Sequence, residues 1–148
     1  MSERKVLLGN EAIARGLVEA GCDVITAYPG TPSSEILPSA AAFADELGTK
    51  TVVEWGANEK VAMEVALGAT FAGKRACAVM KQVGLNVAMD PFMSAAHFQL
   101  EGGMLVIVSD DPGCHASQDD QDSRGLALVA KIPCFDPATA AEAKAMVA

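Results

Sequence analysis

Apolar residues in this chain come in short unbroken runs rather than in alternation. "VITAY" (24–28), "TVVEW" (51–55), "RACAVM" (75–80), "MLVIVS" (104–109) and "IPCF" (132–135) read as strands. An alternating strand shows one face to water; a continuous apolar run is buried on both faces, as in parallel sheets. Between these runs, helical spacing of apolar positions marks segments near 9–20, 33–47, 58–72, 85–100 and 120–130, and a last helix opens near Ala138. Strands alternating with helices demand crossover connections of one hand. The expected fold class is therefore α/β, a three-layer sandwich with a mostly parallel sheet and helices on both faces.

At 148 residues the chain suits one domain, long enough to bury about two thirds of its unfolded surface. No linker, repeat or low-complexity stretch divides it. The last segment, "DPATAAEAKAMVA", opens a capped helix and carries no stop signal, so the chain is expected to belong to a longer subunit. Composition narrows the partners. The chain is 51% hydrophobic but only 5% aromatic, with a net charge of −8. That balance argues against a nucleic-acid backbone or an anionic membrane surface. The cysteines at 22, 77, 114 and 134 form no CxxC pair, which argues against a zinc or iron–sulfur site within the chain. They read as reduced thiols. With no secretory h-region and no apolar run near 18 residues, the expected location is the cytoplasm.

In open α/β sheets ligands bind outside the carboxyl ends of the strands. Four loops follow strands here: "PGTPSSEI", "GANEK", "KQVGLN" and "DDPGCHASQDDQD". In the first, Pro29, Gly30 and Pro32 make a stiff turn, and Ser33 and Ser34 are N-cap candidates. It reads as a well-made βα turn or as a rigid loop presenting Thr31 and backbone groups to a ligand. It is not a P-loop, because GxxxxGK[ST] is absent.

The second loop holds three glutamates, at 54, 59 and 64. Glu54 lies in the strand. Asn58 is a natural N-cap, which puts Glu59 at the first helical position. At about 100° per residue, Glu59 and Glu64 point roughly 140° apart. Glu64 falls four residues after Lys60, within pairing distance. Glu59 lines up with Ala62, Met63, Ala66 and Thr70, on the side that packs. It is either a carboxylate favoured by the helix start or a partly desolvated one with a raised pKa that shares a proton with a ligand. After the third strand, Gly84 permits close approach just ahead of a helix, and Lys81 is either solvated or able to reach a substrate carboxylate. The fourth loop is crowded with aspartates. A divalent cation there is conceivable, but the spacing matches no EF-hand, and a solvated or subunit-facing loop is the expectation, with no metal. His97 and His115 have no serine or cysteine partner in pattern.

Taken in order, "GNEAIARGLVEAG", "AYPGTPSSEI", "NEKVAMEVALGATFAGKR", "MKQVGLNVAMDPF" and "DDPGCHASQDDQDSR" resemble the N-terminal domain of the alpha subunit of indolepyruvate-type enzymes among the thiamine diphosphate-dependent 2-oxoacid:ferredoxin oxidoreductases. The resemblance runs from Gly9 to about Asp136. Each motif alone is weak; five in order are specific. The resemblance implies a pyrimidine-binding (PYR) domain. In that family a glutamate opening a helix shares a proton with N1′ of the cofactor's aminopyrimidine and stands nine residues before a GAxxAG segment. Glu59 stands nine before Gly68 of "GATFAG", whereas Glu54 and Glu64 do not match. By the same resemblance, Gly84 faces the cofactor's aminopyrimidine and Thr31 lies beside the substrate; the loop readings add Pro29 and Gly30 as candidate cofactor contacts and Lys81 as a candidate substrate contact.

The departures are equally specific. The family holds the diphosphate and its Mg²⁺ on a separate domain with a GDG motif, and no GDG occurs here. Cysteine-rich cluster motifs are also absent. The implied partners are therefore a diphosphate-binding domain of the same subunit or its dimer mate, a beta subunit, and ferredoxin, with iron–sulfur clusters elsewhere in the parent enzyme. Alone, the chain is expected to be inactive and to bind the cofactor weakly. Pyruvate-specific members carry an arginine shortly before the fourth strand; the corresponding "QLEGGMLV" favours an aryl-pyruvate. Two other readings stay open: the PYR domain of another thiamine diphosphate enzyme, such as a 2-oxoacid decarboxylase, or a non-catalytic assembly domain.

Overall fold

The computed structural model describes residues 5–148. Four strands form one sheet: β1 (Val24–Ala27), β2 (Val52–Trp55), β3 (Ala76–Lys81) and β4 (Met104–Ser109). All pairings are parallel, and the order is β2-β1-β3-β4. β3 is buried at all six positions, as its unbroken apolar run requires. The helices are α1 (Gly9–Glu19), α2 (Ile36–Leu47), α3 (Glu59–Phe71), α4 (Gln82–Val87), α5 (Met89–Ala95), α6 (Arg124–Ala130) and α7 (Ala140–Met146). They cover both faces. One core joins Ala14, Leu17, Ile36 and Ala40 of α1 and α2 to Ile25 and Val79. The other joins Met63, Ala66, Leu85 and Phe92 of α3, α4 and α5 to Ala78 and Met80. The three-layer α/β reading is borne out.

Four elements differ from the sequence expectation, one of them the helix expected over 120–130, which begins at Arg124. The run 132–135 is not a strand: it pairs with nothing, and Pro133, Cys134 and Phe135 are exposed. Pro133 has no N–H to give a ladder. The segment expected as one helix over 85–100 is two short helices that meet at Ala88. Pro91 cannot donate to the carbonyl of Val87, which interrupts the ladder there. The helix expected from residue 33 begins at Ile36, because the serines ahead of it serve the preceding turn instead.

The strand order creates a switch point. From β1 the chain moves outward to β2 over the α2 face; from β3 it moves outward to β4 over the opposite face, where α5 packs. β1 and β3 are neighbours, so their following loops diverge and leave a crevice between them.

Candidate functional site

The β1–α2 loop is pinned internally. Ser33 Oγ donates to the Gly30 carbonyl at 2.7 Å, and the Gly30 N–H donates to Ser34 Oγ at 3.0 Å. Neither serine caps α2; Glu35 occupies that position with no side-chain cap. Asn10 of α1 holds the loop from below, donating to the Pro32 carbonyl at 2.7 Å. The Thr31–Pro32 peptide is cis. Pro29 and Thr31 stand exposed at the rim, and Gly30 lies half-buried beneath them. The loop is thus a rigid one that presents Thr31.

The glutamates separate as their spacing requires. Glu54 is exposed at the end of β2, and Glu64 is exposed on α3. Lys60 lies 3.8 Å from Glu64 but only 2.8 Å from Asp90, so its nearer partner is on α5. Glu59 is the first residue of α3 and is only 9% exposed. Asn58 caps the helix, its side-chain oxygen accepting from the Val61 N–H at 2.9 Å. A residue that sequence reasoning passed over, Thr26 of β1, fixes this start to the sheet: its buried hydroxyl donates to the Ala62 carbonyl at 2.7 Å. Among the described residues no protein group hydrogen-bonds the Glu59 carboxylate.

Gly84 lies inside α4, not ahead of a helix as expected. A Cβ there would sit 2.6 Å from Glu59 Oε1 and 2.7 Å from its Cγ. Its φ is not in the left-handed region, so the residue is glycine for space. The carboxylate of α3 occupies the room that a methyl would need. Glu59 and Gly84, 25 positions apart in the chain, therefore form one wall of the crevice.

Lys81 ends β3 and is also only 9% exposed, which overturns the solvated alternative. Its stem crosses Gly30, where a Cβ would meet Lys81 Cδ at 2.7 Å. Its Nζ donates to the Ala116 carbonyl at 2.9 Å. Next to it, Gln82 is fully buried, a second residue that sequence reasoning passed over. Its backbone carbonyl accepts from Gln121 Nε2 at 3.1 Å, and its side-chain Oε1 has no partner.

These two residues stitch down the β4–α6 loop, which was expected to be solvated or to face a subunit. Four of its aspartates are engaged within the chain. Asp110 accepts from the Ser123 N–H at 2.9 Å and Asp111 from the Ala116 N–H at 2.7 Å. Asp120 accepts from Gly113, and Asp122 pairs with Arg124 at 2.8 Å. The Ala116 N–H holds the Asp111 carboxyl below the usual carboxylate range. Among the described residues no group of three or more His, Cys, Asp or Glu converges on one point. His97 and His115 are exposed. An apolar cleft of about 470 Å³ runs along the outer edge of β4, but its lining has no carboxylate, amine or imidazole, and it lies off the crevice.

The crevice thus offers a buried unpaired carboxylate beside a glycine, a pinned Pro-Gly-Thr loop and a buried ammonium. A ring nitrogen able to share a proton fits the first.

Residues 15–107 match the family described as "Pyruvate flavodoxin/ferredoxin oxidoreductase, thiamine diP-bdg". The chain is 52% identical over 144 residues to the indolepyruvate oxidoreductase subunit IorA of Archaeoglobus fulgidus, covering 96% of this chain and 23% of that protein. It is 51% identical to the IorA subunit of Pyrococcus abyssi, covering 98% of this chain and 22% of that protein. A ketoisovalerate oxidoreductase subunit VorB of Methanothermobacter thermautotrophicus is 29% identical over 74% of the chain. Among solved structures, a 2-oxoglutarate:ferredoxin oxidoreductase from Magnetococcus marinus shares the fold, with a TM-score of 0.61 at 22% identity over 82% of this chain and 21% of that one. The chain spans less than a quarter of the length of the curated relatives named here as indolepyruvate oxidoreductase subunits.

Proposed function

The chain belongs to the pyruvate flavodoxin/ferredoxin oxidoreductase family of thiamine diphosphate-binding domains, and from that premise we propose that it is the aminopyrimidine-binding (PYR) domain of an indolepyruvate-type enzyme. That enzyme oxidatively decarboxylates an aryl-pyruvate to an acyl-CoA in the cytoplasm and passes the electrons through iron–sulfur clusters to ferredoxin. The substrate reading draws on the IorA relatives. The observation that carries the site is the Glu59–Gly84 wall: a buried carboxylate with no protein partner, set against a glycine that leaves no room for a methyl.

Thiamine diphosphate, when bound, supplies the electron sink that decarboxylation of a 2-oxoacid needs. This chain's part is to hold and prepare it. Glu59 places a carboxyl group at the helix start, where it can share a proton with a ring nitrogen; a neutral amide there could only donate or accept a fixed bond. Gly84 and the Pro29–Gly30 backbone shape the slot for the ring, and Thr31 faces the substrate. With no GDG in the chain, the diphosphate and Mg²⁺ fall to a separate domain. Tyr28, Trp55, Val61 and Val87 stand exposed at or beside the strand-end loops, and this supports a partner domain covering that rim. A beta subunit and ferredoxin complete the set. By itself the chain is inactive and binds the cofactor weakly.

The test is Glu59→Gln in the assembled enzyme. Turnover should fall on the order of 10²–10⁴-fold, the range for a lost acid–base group. Thiamine diphosphate affinity, read by calorimetry, should weaken far less, because the amide still fills the slot. Unchanged turnover would leave only a non-catalytic assembly role.

A further inference from the structure

We propose that Lys81 is the anchor for the substrate's carboxylate, and so a residue that sets the enzyme's specificity for acids over neutral carbonyl compounds; this rests on the reading of the crevice as a 2-oxoacid site. Lys81 is the buried cation among the described residues. The other cations in ion pairs, Lys5, Arg15, Lys60, Lys74, Arg124 and Lys144, each lie within 3.8 Å of a carboxylate. Lys81 has none within ion-pair distance. An ammonium carries three N–H donors, and the Ala116 carbonyl takes one. Two donors and a full positive charge remain inside the fold, where an unpaired charge is costly.

The placement tells what should pair with it. Lys81 ends β3, the strand on one side of the switch-point crevice, and its stem leans on Gly30, next to Thr31 at the rim. Gly84 and Glu59 form the wall three residues on. The crevice therefore places an uncompensated cation beside the site for the reacting ring. A 2-oxoacid brings the complement: a carboxylate with two acceptor oxygens next to the carbonyl that reacts. A site built to bond such a group rejects the analogue that lacks it, because its own buried donors are then left unpaired.

The experiment uses the assembled holoenzyme and two probes of one shape, 3-phenylpropionate and 3-phenylpropionamide. Neither has a 2-oxo group, so neither turns over, and binding is read by calorimetry. The wild type should prefer the acid by on the order of 10- to 100-fold. Lys81→Met should erase that preference while thiamine diphosphate affinity stays within a few fold. Lys81→Gln, which can still donate toward the loop, should erase it too, and K81R should keep part of it. A neutral variant that retains the acid preference would overturn the proposal, and so would a wild type that binds acid and amide equally. Failure of the underlying reading looks different: no thiamine diphosphate binding in the wild type, whichever probe is used.

Discussion

Gly84→Ala isolates the contact on which the site depends. The added methyl would lie 2.6 Å from Glu59 Oε1, against the 3.4 Å of ordinary contact, so the carboxyl must yield by about 0.8 Å. All three nearest atoms belong to Glu59, so its side chain meets the methyl first. Two opposed effects follow. Overpacking costs roughly 1–3 kcal/mol. Replacing glycine inside a helix by alanine gains up to about 1 kcal/mol. The single variant should therefore be destabilised by roughly 0–2 kcal/mol. In a Glu59→Ala background the clash is gone and only the propensity gain remains, so the same substitution should stabilise by roughly 0.5–1 kcal/mol. Urea unfolding of the four chains measures the coupling, expected at about 1–3 kcal/mol. In the assembled enzyme the displaced carboxyl should cost on the order of 10²-fold in turnover, as misplacement by about 1 Å does elsewhere. If the two substitutions add within about 0.5 kcal/mol, Gly84 is not there to house Glu59, and the wall of the crevice has been misread.

Two further outcomes test the surroundings. Asp111 is held below its ordinary value by the Ala116 N–H, so its bond is fully present above about pH 4 and is lost as pH falls through the lowered native value. Hydrogen exchange at the Ala116 amide, corrected for intrinsic rate, should lose protection only below that range, and Asp111→Asn should remove this dependence at Ala116; equal protection there through the whole acid range would contradict it. Burial pushes the Cys22 thiol up to about 11 and the Cys77 thiol in the same direction, whereas Cys134 is exposed. Iodoacetamide at about pH 8 should alkylate Cys134 first and reach Cys22 and Cys77 only on unfolding, and equal rates in the native chain would count against the packing described.

Much of the fold was legible because burial on both faces writes itself into the chain as unbroken apolar runs. β4 falls where "MLVIVS" placed it, and β3 shifts by one residue to include Lys81. The failures share a cause. "IPCF" has the apolarity of a strand, but Pro133 withholds a ladder donor, and strand pairing depends on a neighbour that composition does not reveal. The break at Ala88 was readable from Pro91, since a proline in a helix always leaves one carbonyl unserved. Ser33 and Ser34 looked like caps because hydroxyls before a helix usually are; here a closer acceptor and donor on Gly30 took both.

The site was legible to the extent that its residues lie on one element. Helix geometry alone put Glu59 on the packing side of α3 and Glu64 away from it, and both positions hold. What faces Glu59 was not readable, because Gly84 reaches it only through the crossover from β3. Its glycine signalled close approach, and the group that approaches within this chain is a side chain of another helix. Lys81 and Gln82 illustrate the remaining limit. Both are polar residues after an apolar run, the pattern of a strand emerging into water. They are buried because a polar loop from β4 folds back across them, and it is held there by their own hydrogen bonds to Ala116 and Gln121. Burial of a polar residue by a polar loop leaves no hydrophobic trace, so it cannot be read from hydropathy. Its signature is in the bonding: an ammonium with donors to spare and an amide oxygen with no partner, both at the switch point where an open α/β sheet receives its ligand.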